Sequence, residues 1–292
     1  MAASLQFWQC INLVFIMFLA AYNGVIVSWM LLAALASFAY FIDRMWRRRI
    51  GTQHVEAWWE GCSAVTTSLG VVLMVYLASW WIYVAVVGIA LAQKHLLTPW
   101  GRHLFNPSNA ALIAALVLWP QHTYIRIGQL GYDLFIVVTV VAIGAVVLQR
   151  ARRWIIPPVF AISYLLFSCM WYVAFDPELT CERFVLRFWS VSFIVFMLFM
   201  LTDPKTTPSR YGYQALFAFA VAALAVGLDV YFGWRIQHPF EALFVLTPVV
   251  VWLQRKKDRR QVIGNIAVWL LLMAALLLYL HTFPSKVAGY PW

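Results

Sequence analysis

Charge is scarce in this chain: Asp, Glu, Lys and Arg make up 11% of its 292 residues, less than half the share of about a quarter in ordinary soluble domains. That scarcity excludes a water-soluble globule, whose surface needs such residues. Acidic residues are scarcer than basic ones, 11 against 21, which leaves a net charge of +10. In a soluble chain this balance would point to nucleic acid, but here the basic residues sit in short loops between apolar runs. Membrane topology is the better reading, and no nucleic-acid partner is expected. Cysteine is rare as well: Cys10, Cys62, Cys169 and Cys181 are scattered, with no CxxC and no His/Cys cluster at ligand spacing. No metal site is expected from that pattern. Cys169 and Cys181 flank one loop and are open to a disulfide only in an oxidising compartment, a pairing the sequence does not favour. Hydrolase and nucleotide-binding signatures are missing. His54, His122, His238 and His281 all fall at the ends of apolar runs or in loops, so a bis-histidine haem is not expected.

What the chain has in abundance is apolar sequence. Hydrophobic residues are 64% and aromatic residues 17% of it, and its mean hydropathy is +0.81. Apolar runs fall at about 5–21, 25–44, 61–77, 79–97, 107–119, 131–149, 155–174, 184–202, 212–231, 238–254 and 262–281. Each is close to one bilayer thickness of helix, and the alternation of a transmembrane barrel is absent. The fold expected is therefore all-α, a polytopic transmembrane helix bundle of about eleven spans. The count becomes ten if the first pair, broken only by Tyr22, Asn23 and Gly24, is one long kinked helix. The start of the chain lacks the basic region and small-residue cleavage site of a signal peptide, so it reads as a retained first span. No loop is long enough for a soluble domain, so residues 1–292 read as a single integral membrane domain.

The loop charges give the orientation. Sixteen of the 21 basic residues lie in alternate loops: Arg44 to Arg49, Lys94 and Arg102, Arg150 to Arg153, Lys205 and Arg210, and Arg255 to Arg260. That face is cytoplasmic by the positive-inside rule, which puts the N-terminus inside and the C-terminus outside. Tryptophans near span ends, such as Trp46, Trp58, Trp59, Trp100, Trp154 and Trp234, form an interfacial belt.

Two proline loops stand apart from this background. The first, HLFNPSNAALIAALVLWP, runs from His103 to Pro120. Asn106 followed by Pro107 is a helix start, with Asn as cap and Pro at the first helical position. The apolar run that follows has only about 13 residues before Pro120, too short to cross a bilayer comfortably. The helix therefore starts below the membrane surface, or a re-entrant loop precedes it. The second loop is MLTDPKTTPSRYGYQ, Met200 to Gln214, where Thr202, Asp203 and Pro204 offer the same capping chemistry. The prolines are 97 positions apart with four spans between them, the spacing of a weak internal repeat with broken helices. Converging helix N-termini at the two loops would favour a phosphate, a carboxylate or a flavin carbonyl. Lys94 and His103 flank the first loop and add charge that suits a phosphate or a quinone headgroup. At the opposite rim Asp133, Asp229 and Glu241, near Arg126 and Arg235, are candidates for an ion or proton path.

FNPSN before a small-residue helix, with TDPKTTP after an apolar span about a hundred residues on, resembles the RnfD/NqrB family of membrane proteins. That family supplies membrane subunits to the Rnf electron-transport complex and to the sodium-pumping NADH:quinone reductase. The chain looks closest to the short branch found beside enediyne biosynthesis genes, over about residues 55–255. The resemblance implies a multi-pass subunit in the bacterial cytoplasmic membrane, with flavin held among the helices and electrons passed to other subunits. The motif positions it carries over are Phe105, Asn106, Pro107 and Asn109, then Thr202, Asp203 and Pro204 with the adjoining Lys205 and Thr206. Larger members attach FMN to a threonine in a Ser-Gly-Ala-Thr stretch. This chain has none, and Thr66-Thr67 lacks that motif. Covalent FMN is therefore not expected, and the cofactor expected is non-covalent FMN or riboflavin, or a quinone. No residue reads as a general acid or base, so any enzyme activity belongs to a multi-subunit oxidoreductase. The competing readings are a secondary transporter or permease, which also uses broken helices, and a scaffold subunit without a cofactor.

Overall fold

A computed structural model of the chain describes residues 2–22, 24, 28–49, 61–97, 102–126, 134–175, 188, 190–253 and 259–282. Most of these residues, 82%, are helical, in agreement with the all-α expectation. The helices are α1 Ala2–Tyr22, α2 Trp29–Arg49, α3 Cys62–Met74, α4 Trp80–Leu96, α5 Pro107–Leu118, α6 Leu134–Ala151, α7 Ile156–Phe175, α8 Val191–Val195, α9 Tyr211–Phe232, α10 His238–Leu253 and α11 Arg259–Thr282. Their bounds follow the apolar runs closely. In the run at 184–202, of which residues 184–187 and 189 lie outside the described ones, Ser190 accepts a hydrogen bond from the Phe193 amide at 3.3 Å, starting α8 at Val191, and the helix then widens into a π-turn over Phe196–Met200.

Among the described residues one helix, Tyr211–Phe232, is long and apolar enough to cross a membrane by itself. The helices α6 and α7 pass the same test as a pair bent by 119° at their break. The bend has a local cause. Arg152 adopts φ 55°, and the Arg152 and Arg153 amides turn back to the Gln149 and Leu148 carbonyls at 3.1 and 2.9 Å, closing α6 as a left-handed C-terminal turn does. Pro157 and Pro158 then sit in the first turn of α7, where no donor is needed.

Helices α3 and α5 are short, 13 and 12 residues, or about 18–20 Å at 1.5 Å per residue. Helix α3 gives way to extended chain at once, and α5 does so after a 3-10 turn at Pro120–His122. Strand β1, Val75–Leu77, pairs antiparallel with β2, Thr123–Ile125, in the register Val75↔Ile125. The ribbon is a departure from the helical span expected over 61–77. Its polar groups are satisfied without water: Ala78 donates to the His122 carbonyl at 3.0 Å and Arg126 to that of Met74 at 2.8 Å. The Tyr83 hydroxyl accepts from the Leu77 amide at 3.0 Å and donates to the Val75 carbonyl at 3.1 Å. Thr123 donates back to the Ala115 carbonyl at 2.9 Å. Extended backbone inside an apolar bundle persists only when paired in this way.

Helix α5 is central, packed on α3, α4, α10 and α11. Its buried Ala111 and Ala115 let neighbours come close. Gly70 does the same from α3, since a Cβ there would lie 2.9 Å from the Ser108 Oγ. The start of α5 forms as its sequence predicts: the Asn106 side chain accepts from the Asn109 amide at 3.1 Å, with Pro107 in the first turn. The second proline loop does not start a helix, which corrects the expectation from its sequence. The Thr206 and Thr207 amides both reach the Asp203 carbonyl at 3.1 Å, making a single turn, and Pro208, which disfavours helical geometry in the residue before it, ends that turn. The next helix begins only at Tyr211. What adjoins the start of α5 is the start of α10. Asn109 donates to the Phe240 carbonyl at 3.0 Å, and Phe105 stacks on Phe244 with centroids 4.2 Å apart.

Candidate functional site

The two proline loops meet side by side. Asn106 donates from Nδ2 to the Asp203 Oδ2 at 3.1 Å while its Oδ1 caps α5. The other carboxylate oxygen of Asp203 accepts from the Lys205 amide at 2.9 Å. Thr207 donates to the Asp203 carbonyl at 2.7 Å and accepts from Arg153 Nε at 2.8 Å, which ties the loop to the α6–α7 corner. Burial pushes the Asp203 carboxyl up from its ordinary value, against the opposing pull of the Lys205 amide and charge, Asn106 and Arg153. Burial also lowers the Arg153 guanidinium, with Arg102 nearby adding to the effect.

Beside this junction lies a cavity of about 210 Å³. Its polar lining includes His103, Asn106, Asp203 and Lys205 from the two loops, with Gln9 of α1 and Thr66 and Thr67 of α3. Its apolar lining comes from Leu13 of α1, Met74 of α3, and Val195, Phe199 and Met200 around the π-turn. In that turn the Leu201 amide bonds to the Phe196 carbonyl at 2.9 Å, five residues back. Such turns recur at functional sites because the extra residue re-aims the side chains around it. His103 is 6% exposed, and its Nδ1 has no hydrogen-bond partner. A buried polar atom left unmatched is costly and invites a ligand.

Of the residues singled out in the sequence, His103, Asn106, Pro107, Asp203, Pro204 and Lys205 line the cavity. The others have different partners. Phe105 and Asn109 join α5 to α10, Thr202 donates to the Leu198 carbonyl at 2.6 Å, and the buried Thr206 lies within the Asp203 turn, 3.4 Å from its carbonyl. Lys94, read as a ligand for a headgroup, faces Asp43 instead. That aspartate of α2 is fully buried and takes the Lys94 ammonium and the His95 ring on Oδ1 and Arg47 Nε on Oδ2, each at 2.8 Å. Sequence reasoning missed this cluster because Asp43 sits at the end of an apolar run crowded with arginines and looks like a rim residue. It also missed the cavity wall on α3, where Thr66 and Thr67 are present. Their hydroxyls donate to the Cys62 and Ser63 carbonyls at 2.7 and 3.1 Å, the usual i−4 habit of threonine in a helix.

Around the start of α10, Asp229 and Glu241 come together at His238, which local sequence does not single out. The His238 Nδ1 lies 2.7 Å from the Asp229 Oδ1, and its Nε2 is 3.7 Å from the Glu241 Oε2. Tyr164 donates to the Asp229 Oδ2 at 3.1 Å and the Arg235 amide to Oδ1 at 3.0 Å. Asp133 and Cys181 lie outside the described residues.

His103 gives the site a pH signature. Burial, then the charges of Lys205, Lys94 and His95, push its imidazole down from 6.5 to about 3. The fold therefore prefers the neutral ring. Its contribution to stability is whole above pH 6.5 and is lost as pH falls from 6.5 towards 3. At pH 5 the loss is about 2 kcal/mol, about 1.5 pH units below the unfolded value. Thermal unfolding of wild type and His103→Gln between about pH 7.5 and about pH 5 checks this. The gap between the two curves is expected to change by that amount, and parallel curves would show that His103 is already charged in the fold.

No family model matches this chain, and no curated protein matches it either.

Proposed function

We propose that this chain is a multi-pass subunit of a membrane redox complex of the quinone-reductase and Rnf kind, and that its cavity holds a flavin or quinone ring non-covalently. A membrane setting is supported by the outward faces of the helices, where Met170 is 71%, Leu216 61%, Leu271 71% and Leu278 65% exposed. Side chains of this type on the surface of a bundle call for lipid or another apolar partner. The loop charges support a bacterial cytoplasmic membrane with the N-terminus inside and about eleven crossings. By the same count the start of α5 belongs to one face of the membrane and the start of α10 to the other, yet the two starts touch through Asn109 and Phe240. At least one of them therefore begins within the layer, as a half-span. The α3 and α5 crossings are completed by the β1–β2 ribbon.

The observation that carries the redox reading is the cavity itself, lined by both polar and apolar side chains, with His103, whose Nδ1 is buried and unmatched, among the lining residues. That surface suits a ring with carbonyl groups on one edge. When bound, a flavin or quinone supplies reversible uptake of electrons and protons. The chain's own part is positional. His103 and Asn106 present polar groups beside the ring, Asp203 holds Asn106 in place, and Leu13, Phe199 and Met200 exclude water. Electrons must enter and leave through other subunits.

Equilibrium binding to the purified chain in nanodiscs tests this, with riboflavin and a short-chain quinone as probes. Saturable binding of either, weakened at least tenfold by His103→Ala, is the expected result. Flux of a solute in proteoliposomes with no binding of either ring would instead establish the permease reading, which the adjoining starts of α5 and α10 favour.

A further inference from the structure

A second group of buried titratable residues is distant in role from the cavity and does not depend on the cofactor reading. Glu241, in the first turn of α10, is fully buried, and neither of its carboxylate oxygens accepts a hydrogen bond. Around it stand Asp229 of α9, Tyr164 of α7, Tyr279 of α11, and Arg235 and His238 on its own side, while α5 offers only Asn109. Among the described residues around it the carboxylates are Asp229 and Glu241 and the permanent cation is Arg235, itself 4% exposed. A buried carboxylate without a balancing positive charge is costly.

The hydrogen bonds say where the balance lies. Asp229 accepts from the Tyr164 hydroxyl and the Arg235 amide, so it acts as an acceptor towards the His238 Nδ1 at 2.7 Å as well. That fixes the proton of the neutral ring on Nδ1 and turns the basic Nε2 towards Glu241. We propose that Glu241 and His238 form a buried proton-carrying pair that holds one exchangeable proton, with Asp229 as the positioning residue. The proton leaves the Glu241 Oε2 for the His238 Nε2, giving a carboxylate and an imidazolium. It returns by the reverse path, and the pair loads from and unloads to water. The two atoms are 3.7 Å apart, so a small side-chain rotation closes the transfer distance.

Infrared difference spectroscopy on the full-length protein in nanodiscs, stepped in pH in H2O and D2O, reads this proton directly. Wild type is expected to show a deuterium-sensitive protonated-carboxyl band. Glu241→Gln is expected to remove it, and His238→Gln to move its titration by at least about one pH unit, roughly a tenfold change in proton affinity. An unchanged band in Glu241→Gln, or an unmoved titration in His238→Gln, overturns the proposal. Should a variant fail to fold, carboxyl-13C-glutamate labelling of wild type decides. The chain has only Glu56, Glu60, Glu178 and Glu182 besides Glu241, all between the apolar runs of the sequence. An isotope shift of a slowly exchanging band supports the pair, and an unshifted band excludes it.

Discussion

Asp43→Ala is expected to destabilise the protein by about 3–5 kcal/mol, the cost of leaving a buried ion group without its counter-charge. Three bases converge on this one carboxylate at 2.8 Å, and of them Lys94 is 3% exposed. Without Asp43 the Lys94 ammonium loses the anion it meets among the described residues, and the His95 ring that stacks on Trp46 at 5.5 Å loses its carboxylate contact. The loss comes from the uncompensated charge more than from the bond, so Asp43→Leu with Lys94→Met is expected to recover most of the stability. Unfolding in mixed micelles, followed by tryptophan fluorescence, measures both. A change under about 1 kcal/mol for Asp43→Ala would mean that water reaches this cluster and screens it.

The second large effect is expected at the junction of the proline loops, on binding rather than on folding. Asn106→Ala removes a helix cap, worth about 1 kcal/mol, together with the donor that holds the Asp203 Oδ2. Asp203→Ala removes a carboxylate that burial disfavours. Its folded value is raised, so its charged form weakens the fold at every pH above the ordinary aspartate range. Deleting it therefore costs little net stability at neutral pH, despite the lost bond to the Lys205 amide. Both variants are expected to fold and to hold ring probes at least tenfold more weakly. Asp203→Asn, which keeps an acceptor for Asn106, is expected to lie between them and wild type. Variants that fold, lose Asn106–Asp203 pairing and still bind as wild type would remove the junction from the site.

Helix positions were legible because apolar run length and loop charge are strong signals over roughly 15 to 20 residues. The cap at Asn106 and Pro107 was legible for the same reason that it works, a side-chain acceptor followed by a residue with no donor. At Asp203 the same pattern misled, since Pro208 five residues on stops the turn before a second one forms. The β1–β2 ribbon was hidden because Val75, Tyr76 and Leu77 are apolar and continue a helical run without interruption. Local sequence could not show that Asp43 meets Lys94, 51 positions away, or that His238 stands between Asp229 and Glu241. Those are tertiary pairings, and each isolated charge near a span end looks alike until its partner is in place. The meeting of Asn106 with Asp203 across 97 residues is the exception. There, two rare local motifs singled out both partners.

Acid extraction and absorbance of the protein purified gently from native membranes, side by side with Asn106→Ala and Asp203→Ala, bears most directly on the redox reading. About one flavin or quinone per wild-type chain, greatly reduced in both variants while their helical content and gel-filtration profile stay unchanged, is the expected result. A folded, colourless wild-type protein with no extractable flavin or quinone, alone and with whatever co-purifies, would contradict it.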